Sequence, residues 1–153
     1  MRRTIDRLER DADGRWIARL DCGHRQAVQH DPPQVGHPGP LDEQTRAAAI
    51  GRALDCGACD ERRWPDDARP YQRTREFDAV TLPAGLRSRH STKRGVWARI
   101  HVVEGRLRYR IHEPFALEEM IRPDSPGVVL PEVPHDVEPM GAVRFFVEFH
   151  RVP

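Results

Sequence analysis

Residues 15–20 alternate polar and apolar side chains directly after a turn signal at residues 11–14. This pattern predicts one strand of a β-hairpin, and a second short strand is expected at residues 26–29. The segment from His30 to Pro40 is rich in Pro and Gly, so it is expected to be a loop. Helical spacing of Ala47, Ile50 and Leu54, with acidic residues in the first turn, predicts a helix over residues 42–54.

The second half of the chain has a different pattern, in which short apolar runs are separated by Gly or Pro. Seven strands are predicted, at residues 77–82, 86–90, 96–104, 106–111, 127–130, 135–138 and 143–149. With 14 Pro and 11 Gly in 153 residues, we expect mainly β structure, arranged as a sandwich or a barrel.

A charged, proline-punctuated stretch at residues 60–70 indicates a linker. We therefore expect a small module at residues 1–62, a linker at 63–70 and a β-barrel at 71–153. The 25 basic and 24 acidic residues nearly balance, which argues against nucleic-acid binding. The chain has no long apolar run and begins with charged residues, so neither a membrane span nor a secretory signal is expected, and a cytoplasmic location is predicted.

All three cysteines lie in the first sixty residues, at Cys22, Cys56 and Cys59. Two of them form a Cys-x-x-Cys knuckle, and Cys22-Gly23-His24 supplies a third thiolate and an imidazole, which together favour a Cys₃His zinc site. Zinc would also stabilise a module with few large apolar residues. A redox pair and unliganded thiols are the alternatives, and His30 is a possible substitute for His24.

The same segment resembles a small uncharacterised bacterial domain over residues 3–60. The resemblance rests on the patterns Asp-x-x-Gly-x-Trp, Leu-x-Cys-Gly-His, His-x-Pro-Pro and Leu-x-Cys-x-x-Cys, which here begin at Asp11, Leu20, His30 and Leu54. Because the family has no assigned activity, the resemblance supports a module and leaves its role open.

Residues 70–151 carry a second series of motifs, which includes Thr81-Leu82-Pro83-Ala84-Gly85-Leu86, Arg89-His90-Ser91-Thr92-Lys93 and Pro131-Glu132-Val133-Pro134-His135. This series resembles the cupin-like family associated with tellurite resistance, found next to or fused with the TehB methyltransferase and as stand-alone YeaR-like proteins. The resemblance implies a small double-stranded β-helix (cupin) barrel. With the zinc site expected in the first segment, the fold expected for the whole chain is mainly β, with this barrel preceded by a zinc-ribbon-like α+β module.

Cupins usually hold a metal with two or three His and one carboxylate, so the resemblance also implies a divalent metal of unidentified kind in the barrel. The first cupin motif is incomplete here, since its paired His-x-His is missing and its Glu falls at Ala98. His90, His135 and Glu148 remain as candidate ligands. Alternation along residues 143–149 puts Glu148 opposite the apolar face, so a solvated carboxylate is the alternative for it.

Lys93 is the only lysine, and as a compact cation near His90 it is a candidate for holding an anionic ligand, with a plain surface residue as the alternative. His101, His112 and His150 are expected at the surface. The favoured function is a metal-binding cupin that binds or responds to a small oxyanion or stress metabolite. A metal-dependent enzyme and a protein-interaction scaffold docked through the zinc module are the alternatives, and a homodimer is possible.

Overall fold

The structure is a computed structural model that describes residues 1–28 and 43–153. The predicted loop between His30 and Pro40, and with it His30 as an alternative ligand, lies outside the described residues. The chain divides into two units, Met1–Arg63 and Trp64–Pro153. The domain boundaries expected from the sequence stay a prediction.

The first unit is a small antiparallel sheet with two short helices. Its elements are β1 (Arg2–Arg10), β2 (Trp16–Leu20), β3 (Arg25–Ala27), α1 (Glu43–Ala49), β4 (Ala53–Asp55) and α2 (Gly57–Asp60). The strands lie in the order β3-β2-β1-β4, so β1 is flanked by a partner on each side. Strands β2, β3 and β4 are short, and the sheet buries only a few large apolar side chains, among them Ile5 and Leu20.

The predicted hairpin strand is confirmed as β2, and its turn forms for the expected reason. The Asp11 carboxylate accepts hydrogen bonds from the backbone N–H groups of Asp13 and Arg15, and Gly14 takes a positive φ of 77°, which only glycine adopts at little cost. The hairpin partner, β1, was not predicted, because its many charged residues hide the alternation of the buried Arg3 and Ile5 with less buried neighbours.

The predicted helix at residues 42–54 is wrong in length. Helix α1 ends at Ala49, no residue in it is buried, and Ile50 is 45% exposed. Gly51, with φ of 84°, turns the chain out of the helix, and Leu54 then pairs with Arg3 in the sheet. Strand pairing with β1 outweighs the helical spacing that Leu54 shares with Ala47 and Ile50.

The second unit is a six-stranded antiparallel sheet dominated by two long strands. Its elements are β5 (Arg69–Arg73), β6 (Phe77–Asp78), α3 (Ala84–Arg87), β7 (Val96–Ile111), β8 (Leu117–Ile121), β9 (Gly127–Val129) and β10 (His135–Arg151). The path runs β5-β10-β7-β8, with β6 also beside β10 and β9 also beside β7. Together with the first unit, this makes a mainly β protein, as predicted, with a curled second sheet.

Two pairs of predicted strands are single strands in the structure. Strand β7 continues through Gly105, which has a positive φ of 82°. The backbone of β10 lies so close at this point that a Cβ on Gly105 would be 2.1 Å from the Ala142 carbonyl oxygen. Strand β10 likewise joins two predicted segments, through register shifts that leave the pairing with β7 intact on both sides. Gly105 in β7 and Gly141 in β10, both with a positive φ, therefore lie within continuous strands and do not end them.

Other predictions in this half need correction. Residues 86–90 are not a strand, because the chain forms the helical turn α3 after Pro83, and β6 ends at Asp78. Strands β5 and β8 were not predicted, since β5 is exposed along its whole length and only Ile121 of β8 is buried. Within the described residues, no helix has both the length and the apolar character needed to span a bilayer.

Candidate metal centre and binding cavity

Four buried side chains of the first unit converge on one point. Cys22 and His24 come from the turn between β2 and β3, Cys56 directly precedes α2, and Cys59 lies within α2. One ligand atom from each lies within 4.8 Å of the others, and the relative exposure of the four is 8% or less. All four residues predicted as ligands of the first module are thus brought together.

The distances within this Cys₃His cluster suit a tetrahedral zinc ion. His24 Nδ1 lies 3.5 Å from Cys22 Sγ, 3.5 Å from Cys56 Sγ and 3.6 Å from Cys59 Sγ, and the Cys22 and Cys56 sulfurs are 3.9 Å apart. Zinc bonds of about 2.3 Å to sulfur and about 2.0–2.1 Å to nitrogen place tetrahedral ligands about 3.8 Å apart for two sulfurs and about 3.6 Å for sulfur and nitrogen. The four ligand atoms and the distances between them therefore fit a tetrahedral zinc ion.

Local backbone geometry sets this arrangement. Gly23, with φ of 90°, lets the chain turn between Cys22 and His24, and the Leu20 N–H donates to the His24 carbonyl across that turn. In the knuckle, the backbone N–H groups of Cys59 and Asp60 donate to the Cys56 carbonyl, which closes a helical turn with both sulfurs on one side.

His24 is held by a second contact outside the cluster. Its Nε2 lies 3.0 Å from the carbonyl oxygen of Arg63, so Nε2–H donates to that carbonyl and Nδ1 is left as the atom that faces the sulfurs. Metal-binding histidines are commonly oriented by such a contact.

The charges within the cluster are tightly coupled. Burial by itself lowers the pKa of His24, but hydrogen bonds with Cys56 and Cys59 outweigh it and raise this pKa to about 9. Hydrogen bonds from Cys22 and Cys59 lower the pKa of Cys56, and hydrogen bonds with Cys56 and Cys59 raise the pKa of Cys22. The cluster therefore favours at least one thiolate, the form that binds metal.

A cavity of about 590 Å³ lies in the second unit. The inward faces of β7 and β10 supply most of its apolar wall, at Val96, Ala98, Ile100, Phe145, Val147 and Phe149. Its polar lining includes His90, Lys93, His135 and Arg151. None of the described residues that line it is Asp or Glu, so its charged side chains are cationic.

His90 and His135 form a pair in this cavity. Their ring centroids are 4.2 Å apart, and each ring Nδ1 lies 2.9 Å from the backbone carbonyl two residues earlier, at Ser88 and Val133. Each Nδ1–H therefore donates to backbone, and in a neutral ring Nε2 is the nitrogen that carries the lone pair. Burial lowers the pKa of His135 to about 4, so its ring is neutral near pH 7.

Glu148 does not join these histidines. Val147 and Phe149 line the cavity while Glu148 does not, since side chains alternate along β10. The Glu148 carboxylate instead accepts a hydrogen bond of 2.7 Å from His150 Nε2. Among the described residues, the Cys₃His cluster is the one group of three or more candidate ligands close enough to share an ion, so the proposed triad of His90, His135 and Glu148 is not assembled.

The other histidines of the second unit lie away from the cavity lining. His101 is half-buried and stacks on Phe146, with ring centroids 4.9 Å apart. His112 Nε2 lies 2.7 Å from a carboxylate oxygen of Asp136, so it is fixed by a buried acid and not free in an exposed turn. His150 is 8% exposed, and the expected surface position for it is wrong.

Arg151 is a cavity residue that the sequence interpretation missed. It continues the face of β10 that carries Val147 and Phe149, so extending the same alternation by two residues would have found it. Its guanidinium lies 4.7 Å from the ring centroid of Tyr71.

Comparison with family models gives two matches. Residues 72–147 match the TehB-like domain, and residues 7–63 match a protein of unknown function, DUF3565. No curated protein matches the chain.

Two solved structures share a fold with more than half of the chain. A crystal structure of a protein from E. coli (strain K12) has a TM-score of 0.55 and 26% identity, over 60% of this chain and 97% of that one. TehB from Haemophilus influenzae has a TM-score of 0.53 and 22% identity, over 57% of this chain. The match spans 32% of that TehB chain. The family-model match supports a TehB-like domain in the second unit, and the solved structures support its fold. The first unit is left without an assigned activity.

Proposed function

We propose that this protein is a metal-binding protein whose second unit is a cupin-like barrel that takes up a small anionic molecule, in a role related to tellurite resistance. One observation carries the proposal: the cavity brings two histidines and two cations together, with no carboxylate among the described residues of its lining. An anion is the ligand that such a lining attracts. The TehB-like match supports the association with tellurite resistance.

In this proposal the first unit holds one structural zinc ion through Cys22, His24, Cys56 and Cys59. Four protein ligands complete a tetrahedron, so the ion has no open position for a substrate. The ion would tie the β2–β3 turn to the start of α2, two segments that are distant in sequence. Because few large apolar side chains are buried in this unit, zinc would supply much of its stability.

The second unit would hold a divalent metal between His90 and His135. Both Nε2 atoms carry the free lone pair, and both rings are oriented through Nδ1 by backbone carbonyls, as is common for metal ligands. Two histidines leave several coordination positions open for water or an anionic oxygen. Glu148 has no part in this proposal.

Metal content per chain, measured by mass spectrometry on untagged protein, tests both sites. Wild type is expected to carry two metal ions, with zinc lost in Cys56→Ser and the second metal lost in His135→Ala. Ala58→Ser, within the same knuckle, and His101→Ala, on the opposite face of β7, are the matched controls and should retain both ions. Unchanged metal content in Cys56→Ser or His135→Ala would reject the corresponding site.

Anion binding is tested separately by calorimetry with tellurite and with a simple carboxylate such as hexanoate. The proposal expects at least one of these anions to bind to wild type and to bind more weakly to Lys93→Met. If neither anion binds, the cavity is not an anion site.

A further inference from the structure

The wall of the cavity is too apolar for a bare inorganic anion. Ala98, Ile100, Phe145 and Val147 line it from the two long strands, and each is 8% exposed or less. A small hydrated anion that entered a cavity of about 590 Å³ would lose water contacts that these side chains cannot replace. The volume lies instead within the range of about 300–1,000 Å³ that is typical for pockets that bind organic molecules.

The cations occupy the solvent-facing part of the lining. Lys93 and Arg151 are both exposed, whereas the apolar wall is buried. Neither cation forms an ion pair with any residue that the structure describes, and the Arg151 guanidinium lies 4.7 Å from the ring centroid of Tyr71. Two cations without a protein carboxylate therefore stand beside an apolar interior.

We propose that the ligand of the second unit is an organic acid with an apolar body, whose carboxylate pairs with Lys93 and Arg151 while its body packs against β7 and β10. This inference rests on the proposed anion-binding function and narrows it to one ligand class. The two parts of the lining match the two parts of such a molecule, because a charged head needs a cationic partner and a hydrocarbon body needs apolar contact.

A series of straight-chain acids tests the apolar part of the proposal. Acetate, butyrate, hexanoate and octanoate are titrated by calorimetry into the metal-loaded full-length protein. Burial of each added methylene strengthens binding by up to about fourfold, so affinity should rise along the series until the cavity is full. Ala98→Phe, which fills the cavity from β7, should weaken hexanoate more than acetate.

Charge recognition is tested with hexanamide and with two variants. Hexanamide, which has the same body without the charge, should bind at least about tenfold more weakly than hexanoate. Lys93→Met and Arg151→Met should each weaken hexanoate by about tenfold or more, in line with the strength of a charge-assisted hydrogen bond. Arg106→Met removes an exposed cation of β7 outside the cavity lining and should leave the affinity unchanged.

The outcomes separate this inference from the proposed function. If tellurite or acetate binds and hexanoate binds no better, the organic-acid proposal is overturned while the anion site stands. If hexanoate and hexanamide bind equally, or if both charge variants bind like wild type, the cations do not select the ligand and the proposal fails. If no anion binds at all, both proposals fail together.

Discussion

His90 and His135 exchange both of their backbone hydrogen bonds, with the His90 N–H donating to the His135 carbonyl over 3.0 Å and the His135 N–H donating to the His90 carbonyl over 2.8 Å. This bridge joins the segment after α3 to the first residue of β10. It places two imidazoles side by side although they are 45 positions apart in the sequence. The pairing of the two rings is therefore a consequence of backbone geometry.

Glu148→Gln should leave the cavity unaffected. Because Glu148 lies on the face of β10 opposite the cavity lining and is bonded to His150, its charge is not needed for metal or anion binding there. We expect the metal content and the hexanoate affinity of this variant to equal those of wild type, with His135→Ala as the positive control. A loss of cavity metal in Glu148→Gln would show that β10 presents its other face to the site.

Cys56→Ser should unfold the first unit while the second unit stays folded. Structural zinc in small modules contributes on the order of 10 kcal/mol, more than a unit with so few buried apolar side chains can replace. Hydrogen exchange read by mass spectrometry should show rapid exchange over β1 to β4 and unchanged protection in β7 and β10. Ala58→Ser is the control, and protection of β1 to β4 in Cys56→Ser would contradict a stabilising zinc.

His101 should remain neutral at pH values where an ordinary histidine is half-protonated. Burial lowers its pKa, the cations Arg99 and Arg73 lower it further, and Glu148 opposes them. The unfolded chain binds this proton more readily than the folded chain, so the free energy of unfolding should fall as pH drops below about 6.5. The fall in the free energy of unfolding at low pH should be smaller in His101→Gln.

The direct measurement is an NMR titration of the His101 C2 proton, assigned by its absence in His101→Gln. A midpoint below about 6.5 is expected. A midpoint at or above that value would mean that the contact with Phe146 does not desolvate the ring.

Gly105→Ala should destabilise the second unit far more than Gly141→Ala. Both glycines have a positive φ, which costs an alanine about 1–2 kcal/mol, but only at Gly105 would the new Cβ meet another backbone atom, the Ala142 carbonyl oxygen. Forcing β7 and β10 apart should cost roughly 1–3 kcal/mol more. Urea denaturation followed by tryptophan fluorescence measures the free energy of unfolding of each variant. Equal losses of this free energy in the two variants would show that β7 and β10 are less closely packed at Gly105.

The sequence was informative where chemistry depends on short spacings. Cys56-x-x-Cys59 and Cys22-x-His24 each lie within one turn, so local backbone geometry is enough to align the ligand atoms of each motif. The two motifs were predicted to share one ion because a structural zinc ion takes four ligands. Alternation from Val143 to Phe149 also predicted the apolar face of β10. It gave an outward position for Glu148 only as the alternative to a metal ligand. These features depend on neighbours within a few residues.

Features that depend on contacts between residues far apart in the sequence could not be predicted from local spacing. Leu54 has helical spacing, but it lies in a strand because it pairs with β1. A strand end was predicted at Gly105, but β7 continues through this residue. The sequence by itself determined a mainly β chain, a Cys₃His cluster and the apolar face of β10, because periodicity and ligand spacing are local. Tertiary structure alone decided that His90 meets His135, that Glu148 does not, and that Lys93 and Arg151 line the same cavity. These contacts arise from the pairing of β7 with β10 and from the backbone bridge between His90 and His135.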